Sequence, residues 1–234
     1  MNKLSILIPV YNEQDTILPL IKHIESVQLP GGLDKEMIIV DDGSTDETHQ
    51  RLKTLSSNPT IKVFFQETNQ GKGSAVRRAI QESTGDIILI QDADLEYLPD
   101  NYPALLEPIL SQKTSIVYGS RFKGNIKDMA FINRLANRIS NITINLLYGT
   151  ELSDIQTCFK VFKSDLVKNL QLSSDGFSLD TELTAKLLNQ KHRIYEVPIT
   201  YVARHRKEGK KMTWGKALTN YFALLRYSLF KGTY

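Results

Sequence analysis

Three carboxylates in one short stretch give the first chemical signal in the sequence. Asp92, Asp94 and Glu96 occupy alternate positions directly after the apolar run IILI at 87–90. Because like charges this close repel one another, a positive partner is expected among them. Carboxylates suit Mg²⁺ or Mn²⁺, whose coordination is typically completed by water and by the phosphate oxygens of a ligand. The alternative is an acidic loop that ends in a helix cap near Asp100.

Two other polar segments stand beside predicted elements. The segment DDGS at 41–44 follows the apolar run MIIV, and a carboxylate there could accept hydrogen bonds from a ribose or a base. Its alternative is a turn in which Asp42 and Ser44 only cap a helix. The segment at 69–80 places Lys72 between two glycines at a predicted helix start. This place suits a phosphate group, although the Walker spacing is absent.

Apolar and amphipathic periods predict the elements that position these side chains. Strands rich in Ile and Val are predicted at 4–10, 37–41, 61–65, 86–91 and 115–120. Helices are predicted between them at 13–28, 45–57, 71–83 and 100–111, the second opened by the capping box Ser44-x-x-Glu47. The less regular second half predicts helices at about 130–147, 179–190 and 214–230 and strands at 158–162 and 193–197.

Alternating strands and helices predict an α/β fold with a mostly parallel sheet and helices on both faces. Ligands of such sheets gather at the carboxyl ends of the strands, near a topological switch point. Four of these ends carry polar or glycine-rich segments: PVYNE at 9–13, DDGSTD at 41–46, DADLE at 92–96 and GSR at 119–121. The sequence therefore predicts a site along one edge of the sheet.

Composition limits the cellular setting. The 234 residues are 41% hydrophobic and 24% charged, as in an ordinary globular protein. The single cysteine, Cys158, allows no internal disulfide, so we expect a reducing, cytoplasmic compartment and a buried thiol rather than a nucleophile. No stretch approaches the ~20 apolar residues that span a bilayer, and the N-terminus is not typical of a signal sequence.

Charge is distributed unevenly along the chain. Residues 1–184 contain 18 Lys and Arg against 24 Asp and Glu, whereas residues 185–234 contain 11 against 2. Such a basic end could be a solvated helix face, a nucleic-acid patch, a membrane-surface patch or a clamp on a phosphorylated ligand. The cations of the second half that could hold phosphate are Arg121, Arg134, Arg138, Arg204, Arg206, Lys210 and Lys211. The four histidines show no ligand spacing, so no zinc site is predicted.

The motifs taken together resemble family-2 glycosyltransferases of the GT-A fold, and among them the dolichyl- or polyprenyl-phosphate sugar transferases. The matching segments are SILIPVYNE, IIVDDGSTDET, NQGKGSAVRRAI, DADLEY, YGSRF, NRLANRISN, DIQTCFKVF, GFSLDTELTAK and IYEVPITY followed by RHRKEGKK. Their order and spacing fit over roughly residues 3–212. The resemblance implies a catalytic domain at 1–212, followed by a C-terminal amphipathic helix at 213–234.

The resemblance also implies a donor site for a nucleotide sugar of the GDP-mannose or UDP-glucose type. Asp92 and Asp94 would bind Mg²⁺ or Mn²⁺, which bridges the diphosphate. Glu96 stands where the mannosyltransferases often have a glutamine that is a further ligand, so this chain adds a negative charge there. The positions that match the nucleotide pocket are Pro9, Tyr11, Glu13 and Asp42.

On the acceptor side, Arg121, Arg134 and Arg206 resemble the arginines that hold sugar or acceptor phosphate, with Arg138 as an alternative to Arg134. Arg206 and Lys211 belong to a segment like the family's acceptor-proximal loop. The acceptor-side motifs also contain Asp154, Gln156, Asp180 and Glu182.

The implied chemistry depends on the acceptor, which attacks the anomeric carbon from the face opposite the leaving diphosphate and inverts it. A lipid phosphate is already anionic, so it needs cations that orient it rather than a strong base. A sugar hydroxyl would need a base, and Asp154 or Asp180 are the candidates.

Two other functional classes are weighed against catalysis. A non-catalytic nucleotide-sugar binder is disfavoured by the intact DxD motif and the arginines. A nucleic-acid binder is disfavoured because the basic end lacks interleaved aromatic and basic residues. The C-terminal helix is expected either to contact an anionic membrane peripherally or to pack on the protein. Its predicted apolar face comprises Trp214, Leu218, Tyr221, Phe222, Leu225 and Leu229, with Lys216, Arg226 and Lys231 nearby.

Overall fold

The first half of the chain alternates strands and helices, as predicted. The computed structural model describes residues 1–55, 57–203 and 214–229, with side chains of the last range at 221–228. The strands of this half are β1 (Lys3–Val10), β2 (Asp34–Asp41), β3 (Ile61–Phe65) and β4 (Ile87–Ile90). The helices between them are α1 (Ile17–Ser26), α2 (Thr48–Lys53) and α3 (Lys72–Glu82).

The second half adds three strands and five helices within the described residues. The strands are β5 (Ile116–Lys127), β6 (Lys160–Lys163) and β7 (Tyr195–Val202). The helices are α4 (Tyr102–Leu110), α5 (Phe131–Tyr148), α6 (Ser164–Lys168), α7 (Leu179–Asn189) and α8 (Trp214–Leu229).

The strands of the described ranges form one seven-stranded sheet in the order β3-β2-β1-β4-β6-β5-β7. β1 pairs in parallel with both β2 and β4, and β5 pairs in parallel with β7. β6 is antiparallel to β4 and to β5, between which it lies. This confirms the mostly parallel α/β fold. Because β2 and β4 lie on opposite sides of β1, the chain changes direction there, and the carboxyl ends of β1 and β4 border a topological switch point.

Continuous apolar runs explain why the central strands are covered on both faces. All four residues of β4 are buried, as are the residues of β1 from Leu4 to Val10. Such runs are typical of parallel strands with helices on each side. The polar residues that directly follow β1, β2 and β4 are therefore held by a closely packed core.

The beginning of α2 differs from the sequence prediction. The Ser44 hydroxyl accepts the N–H of Asn12 at 2.9 Å and does not cap a helix, so the predicted capping box is wrong. The carboxylate of Asp46 instead accepts the N–H of Thr48 at 2.9 Å, where α2 begins. Residues 45–47 are thus used to connect the ends of β1 and β2 rather than to extend the helix.

The strands β5 and β7 are longer than predicted. β5 continues past Ser120 to Lys127 because its pairing with β7 resumes after a register shift between Ser120 and Asn125. Gly124 packs against the backbone of Ile199, where a Cβ atom would collide. The polar composition of RFKGN hid this extension, since the usual strand signal is an apolar alternation.

Helix α8 packs against α5 and α7. Among its described side chains, at 221–228, the buried ones are Leu224, Tyr227 and Ser228, none of which belongs to the predicted apolar face. Of the predicted face, Phe222 is 66% exposed, and the side chains at 214, 218 and 229 lie outside the described residues. Among the helices of the described ranges, none is both long and apolar enough to span a bilayer.

Candidate active site

A cavity of about 870 Å³ opens at the carboxyl edge of the sheet. Its polar lining includes Tyr11, Glu13, Asp42, Lys72, Asp92, Asp94, Glu96, Arg121, Gln156 and Asp180. Its apolar lining includes Pro9, Met129, Ile132, Leu135, Ala136 and Ile139. Most of the polar residues follow strands or begin helices, although Arg121 lies within β5 and Gln156 lies between α5 and β6. Ile132, Leu135 and Ile139, in contrast, belong to one helix, α5. The cavity thus joins a polar region at the sheet edge to an apolar helix.

Asp42 combines the two roles that the sequence left open. Its carboxylate accepts the N–H groups of Gln70 at 2.7 Å and of Gly71 at 2.8 Å, which fixes the segment before α3. The same residue lines the cavity. Burial raises the pKa of Asp42, and the charge of Asp41 adds to this effect, while the two N–H bonds oppose it.

The segment after β4 separates the three carboxylates. Gln91 holds the backbone by donating to the carbonyls of Asp92 and Tyr97 at 2.9 and 3.0 Å. The Asp94 carboxylate accepts the N–H of Glu96 at 3.1 Å. Glu96 accepts the hydroxyl of Tyr201 at 2.6 Å, and Asp92 is paired with Lys72. The three carboxylates therefore have three different environments in this structure, and the joint binding of one ion by all three stays a prediction.

The oxygen donors of the cavity suit a divalent cation only together with a ligand. Within the described ranges, no group of three or more His, Cys, Asp and Glu side chains is placed to hold a metal ion by itself. Mg²⁺, however, is usually held by one or two carboxylates together with waters and substrate phosphates. Asp94 and Glu96 bring such hard oxygen donors to the cavity. They fit a cation that is shared with a phosphorylated ligand rather than one held in a protein-only cage.

Lys72 is the positive partner that the acidic segment required. Its ammonium lies 2.6 Å from Asp92 Oδ1 and 3.9 Å from Asp180 Oδ2. Burial opposes the charge on Lys72, but Asp92 and Asp180 more than offset this, so the pKa of Lys72 is raised well above its usual value. Burial also opposes the charge on Asp92, yet Lys72 holds the pKa of Asp92 below its usual range. Both groups are therefore charged at neutral pH.

Cys158 lies close to the pair of Lys72 and Asp92, and its environment does not favour a reactive thiolate. The thiol is buried, as predicted, and Sγ lies 3.8 Å from the carbonyl oxygen of Ile90. Burial raises the pKa of the Cys158 thiol well above its ordinary value, and the Asp92 charge adds to the shift. A protonated thiol is a poor nucleophile, in keeping with the structural role that the sequence favoured.

Arg121 is a second cation of the cavity, and Asp154 holds it in place. The Arg121 side chain donates from Nε to Asp154 Oδ2 and from Nη2 to Asp154 Oδ1, both at 2.7 Å. Asp154 is 0% exposed, and its own N–H donates to Glu196 at 2.9 Å. Burial opposes the charge of Arg121, but Asp154 raises the pKa of Arg121 well above its ordinary value. Asp154 therefore positions Arg121, and its location does not support the predicted alternative role as a base.

The remaining acceptor-side candidates divide between the cavity and the protein interior. Gln156 lines the cavity, and its amide donates to the Thr181 hydroxyl at 3.0 Å. Glu182 is buried outside the lining, where it accepts the N–H groups of Ser173 and Ser174 at 2.9 and 2.7 Å. Glu182 thus fixes the segment before α7, and its location does not support the predicted contact with substrate.

The predicted arginines of the second half are not gathered at one point. Arg134 and its alternative Arg138 are exposed on α5 and do not line the cavity. Arg206 and Lys211 lie outside the described residues, so their roles stay predictions.

Several residues of the lining were missed from the sequence. Asn137 accepts a hydrogen bond from Arg121 Nη2 at 3.3 Å, and Tyr201 lies 5.2 Å from the Arg121 guanidinium, measured to its ring centroid. Both belong to segments that resemble the family, NRLANRISN and IYEVPITY, but a neutral amide and a phenol carry no charge signal that would single them out. The apolar residues of α5 in the lining have a helical spacing that is visible in the sequence. That spacing predicts the helix but does not indicate that its apolar side borders a cavity.

Most of the sequence that forms this site matches a known protein family. Residues 5–171 match the family described as glycosyl transferase family 2. The chain belongs to this family. The match includes the ends of β1, β2, β4 and β5 and extends through β6, and it confirms the resemblance seen in the sequence motifs. Asp180 and α7 lie beyond the matched residues.

Relatives in glycosyl transferase family 2 extend the comparison. The chain is 30% identical over 224 residues to a dolichol-phosphate mannosyltransferase of Pyrococcus furiosus, covering 94% of this chain and 61% of the relative. It is 24% identical over 204 residues to a dodecaprenyl-phosphate galacturonate synthase of Rhizobium johnstonii, covering 86% of this chain and 60% of the relative. The chain therefore spans about three fifths of the length of these curated relatives.

Solved structures show the same fold at lower identity. Glucosyl-3-phosphoglycerate synthase from Mycobacterium tuberculosis, in complex with uridine diphosphate, superposes with a TM-score of 0.75 at 21% identity, covering 99% of this chain and 82% of that one. Its complex with Mn²⁺, uridine diphosphate and glucosyl-3-phosphoglycerate gives a TM-score of 0.74 at 19% identity, with coverage of 99% and 82%. The similarity confirms the predicted GT-A fold.

Proposed function

We propose that this chain transfers a sugar from a nucleotide sugar to a polyprenyl or dolichyl phosphate, with a divalent cation and with inversion at the anomeric carbon. The observation that carries the proposal is the two-part lining of the cavity. Carboxylates and Lys72 lie at the sheet edge, whereas Ile132, Leu135 and Ile139 of α5 provide an apolar wall. The polar side of the cavity suits a nucleotide-sugar donor, and the apolar side suits the lipid chain of the acceptor.

The polar part suits a nucleoside diphosphate of the GDP-mannose or UDP-glucose type. Asp42 lies at the end of β2, where a carboxylate can accept hydrogen bonds from ribose or base. Pro9, near the end of β1, and Tyr11 and Glu13, which follow it, belong to the same lining. Lys72, at the start of α3, brings a positive charge near a helix N-terminus, which favours phosphate.

Asp94 and Glu96 are the residues proposed to hold Mg²⁺ or Mn²⁺ jointly with the donor phosphates. Such a cation, when bound, acts as a Lewis acid that stabilises the negative charge of the departing diphosphate. Asp92 is proposed to stay paired with Lys72, which keeps the acidic segment from carrying three unbalanced charges. Two solved structures of glucosyl-3-phosphoglycerate synthase with this fold are complexes with uridine diphosphate and either Mn²⁺ or Mg²⁺, which supports a cation of this type.

A phosphate acceptor fits the cavity better than a sugar hydroxyl. Arg121 is a fixed cation in the lining, able to orient an anionic nucleophile that needs no base. The two carboxylates considered as bases are both engaged by cations, Asp154 by Arg121 and Asp180 by Lys160. The names of two relatives, a dolichol-phosphate and a dodecaprenyl-phosphate enzyme, support a lipid phosphate as well.

A lipid acceptor requires contact with a membrane surface, for which α5 is the proposed element. Phe131, Leu135, Ile139, Ile142 and Leu146 follow helical spacing and are all exposed. The sequence of α5 contains two arginines and no acidic residue, as is favourable beside anionic head groups. Because the stripe includes residues of the cavity lining, a lipid chain could pass from the bilayer into the cavity. The contact proposed is peripheral.

Product analysis tests the proposed function. The chain is incubated with GDP- and UDP-sugars, Mg²⁺ or Mn²⁺, and undecaprenyl or dolichyl phosphate, and the lipid products are identified by mass spectrometry. We expect glycosylated lipid phosphate with one donor, and no product from the same lipid as a free alcohol. Transfer to a saccharide hydroxyl but not to any lipid phosphate would contradict the proposal and favour the alternative acceptor.

A further inference from the structure

A buried ammonium lies directly behind the wall of the cavity. The side chain of Lys160, in β6, is 0% exposed, and its Nζ lies 2.6 Å from Asp180 Oδ1. Nζ also donates to the carbonyl oxygen of Thr157 and lies 5.0 Å from the centroid of the Tyr118 ring. A charge at such a position is costly unless it is paired, so the pairing with Asp180 accounts for its burial.

Asp180 connects this ammonium to the donor side of the cavity. Its Oδ2 atom faces Lys72 Nζ at 3.9 Å, and Lys72 Nζ lies 2.6 Å from Asp92 Oδ1. Lys160, Asp180, Lys72 and Asp92 therefore form a charge chain that alternates in sign from the interior to the cavity. Lys160 is the member that does not line the cavity.

The backbone at the start of α3 holds Lys72 near the carboxylates of both Asp92 and Asp180. Gly71 has a φ of +102°, and a Cβ atom there would collide with the carbonyl oxygen of Asp175. The N–H of Ser74 donates to the same carbonyl oxygen at 3.1 Å. The start of α3 is thus fixed against the segment that precedes α7, and charge decides which carboxylate Lys72 binds.

We infer that Lys160 is a positioning residue of the donor site, a role that rests on the proposed function. Because Lys160 neutralises Asp180, Lys72 is free to bind Asp92 closely. Without the Lys160 charge, the nearest cation to the buried Asp180 carboxylate is Lys72, and an unpaired buried charge is strongly disfavoured. Lys72 then moves toward Asp180 and away from Asp92. The acidic segment loses its counter-charge, and an incoming diphosphate meets more repulsion.

The substitution Lys160→Met tests this role in the full chain, because methionine keeps much of the side-chain volume without the charge. Calorimetry with UDP and with GDP, each in the presence of Mn²⁺, measures the donor site. We expect nucleotide affinity to fall by about tenfold or more, since the substitution leaves a buried charge unpaired. In steady-state assays the KM for the donor should rise, with a smaller change in kcat.

A matched control is available on α7. Lys186 pairs with Glu182 at 2.8 Å, also as a mostly buried lysine and carboxylate, but neither residue lines the cavity. Lys186→Met should leave nucleotide affinity unchanged. An equal loss in this control would assign the Lys160→Met effect to general destabilisation and overturn the role.

The double substitution Lys160→Met/Asp180→Asn separates charge balance from packing and serves if the single variant fails to fold. With Asp180 neutral, Lys72 has Asp92 as its carboxylate, so nucleotide affinity should rise at least about threefold above that of Lys160→Met alone. Affinity that stays low in the double variant would overturn the role. If the unsubstituted chain binds neither nucleotide, the proposed function fails and this role with it. Binding that Lys160→Met leaves unchanged would overturn the role alone.

Discussion

Two neighbouring carboxylates, Asp92 and Asp94, differ in what they contact, and this difference supports the separate roles proposed for them. Asp92 is held by Lys72 at 2.6 Å, so its charge is already balanced by the protein. Asp94 lines the cavity and accepts the backbone N–H of Glu96, which orients its carboxylate. A cation shared with phosphate is therefore expected at Asp94, with Glu96 beside it.

The substitution Asp94→Asn should abolish sugar transfer, with a loss of at least about 100-fold, because it removes a proposed ligand of the cation that would stabilise the leaving diphosphate. The fold should stay intact, since the carboxamide can still accept the N–H of Glu96. Initial rates and thermal melting of the purified variant provide the measurement.

Asp15→Asn is the control for Asp94→Asn, because Asp15 is exposed and does not line the cavity. This variant should keep full activity. A chelator should inactivate the unsubstituted chain in the same way as the substitution. Full activity in excess EDTA would exclude the assigned role of Asp94.

Residues next to strand ends could be located from the sequence, whereas pairs across the fold could not. Asp42 and Asp94 line the cavity because the carboxyl ends of parallel strands meet at one edge, and Arg121, just past the predicted end of β5, lines it as well. The contact between Lys160 and Asp180 joins β6 to α7, and no spacing rule connects two such elements. Charge on a strand residue predicts that it needs a partner, but not which one.

At the scale of elements, α5 stands apart because its apolar stripe faces outward. Phe131 is 78% exposed and Leu146 is 80% exposed, near opposite ends of the helix. Helices of globular proteins normally bury such a stripe in the core. Ile144, on another side of α5, does pack with Leu224 of α8. The helix therefore has one face for the protein and another for a partner, which we propose to be a membrane surface.

The double substitution Ile142→Glu/Leu146→Glu tests the membrane face of α5 without altering the cavity, because neither residue lines it. Each side chain contributes roughly 1.5–3 kcal/mol when transferred from water to an apolar phase, so co-sedimentation with anionic liposomes should fall by at least about tenfold. Binding of the unsubstituted chain should weaken at high salt, since each basic residue near the surface contributes only ~1 kcal/mol.

The control for this variant is Gln50→Glu/Gln81→Glu, which adds the same charge at two exposed positions elsewhere. It should sediment like the unsubstituted chain. Nucleotide binding should be equal in all three proteins. If the α5 variant still sediments fully, the lipid surface is not α5, and the side chains of α8 become the next candidates.

Element prediction was reliable where one signal dominated and failed where two competed. The predicted helix at 71–83 and the observed α3 differ by one residue at each end, because no other pattern interrupts the helical period there. Ser44 and Glu47 have the spacing of a capping box, but the hydroxyl of Ser44 is used by the backbone of Asn12, which is distant in sequence. The direction of β6 could not be predicted either, because the run KVFK has no feature that distinguishes antiparallel from parallel pairing.

At the scale of the whole molecule, one edge of the sheet carries the cavity and the opposite edge carries contacts that stabilise the fold. The carboxyl edge carries the cavity, where several charges are close together. At the opposite edge, near the other end of β2, lies the buried carboxylate of Glu36. It accepts hydrogen bonds from the Ser5 hydroxyl and the Thr84 N–H, both at 2.6 Å. It also forms ion pairs with Lys3 at 2.8 Å and with Lys62 at 3.3 Å. These contacts join β1, β2, β3 and the segment before β4, so they stabilise the sheet that positions the cavity.

Glu36 should make the stability of the protein depend on pH in the acid range. Burial alone would raise the pKa of Glu36, but the bonds from Lys3, Ser5 and Thr84 more than offset it and lower the pKa from 4.5 to about 2. A lowered pKa in the folded state means that Glu36 stabilises the protein above pH ~4.5, and that this contribution is lost as the pH falls toward 2. The shift corresponds to on the order of 3 kcal/mol.

The substitution Glu36→Gln should therefore lower the free energy of unfolding at pH 7 by roughly 3 kcal/mol and remove part of its decrease between pH 5 and pH 2. Urea unfolding across this pH range measures both effects, with Glu107→Gln as the control because Glu107 is exposed. Nucleotide affinity of the folded variant should not change, since Asp42, directly after β2, is six residues from Glu36, or about 20 Å in an extended chain. Equal unfolding curves for Glu36→Gln and the original chain would show that the network does not stabilise the sheet. A loss of nucleotide affinity at full stability would instead mean that the two edges are coupled.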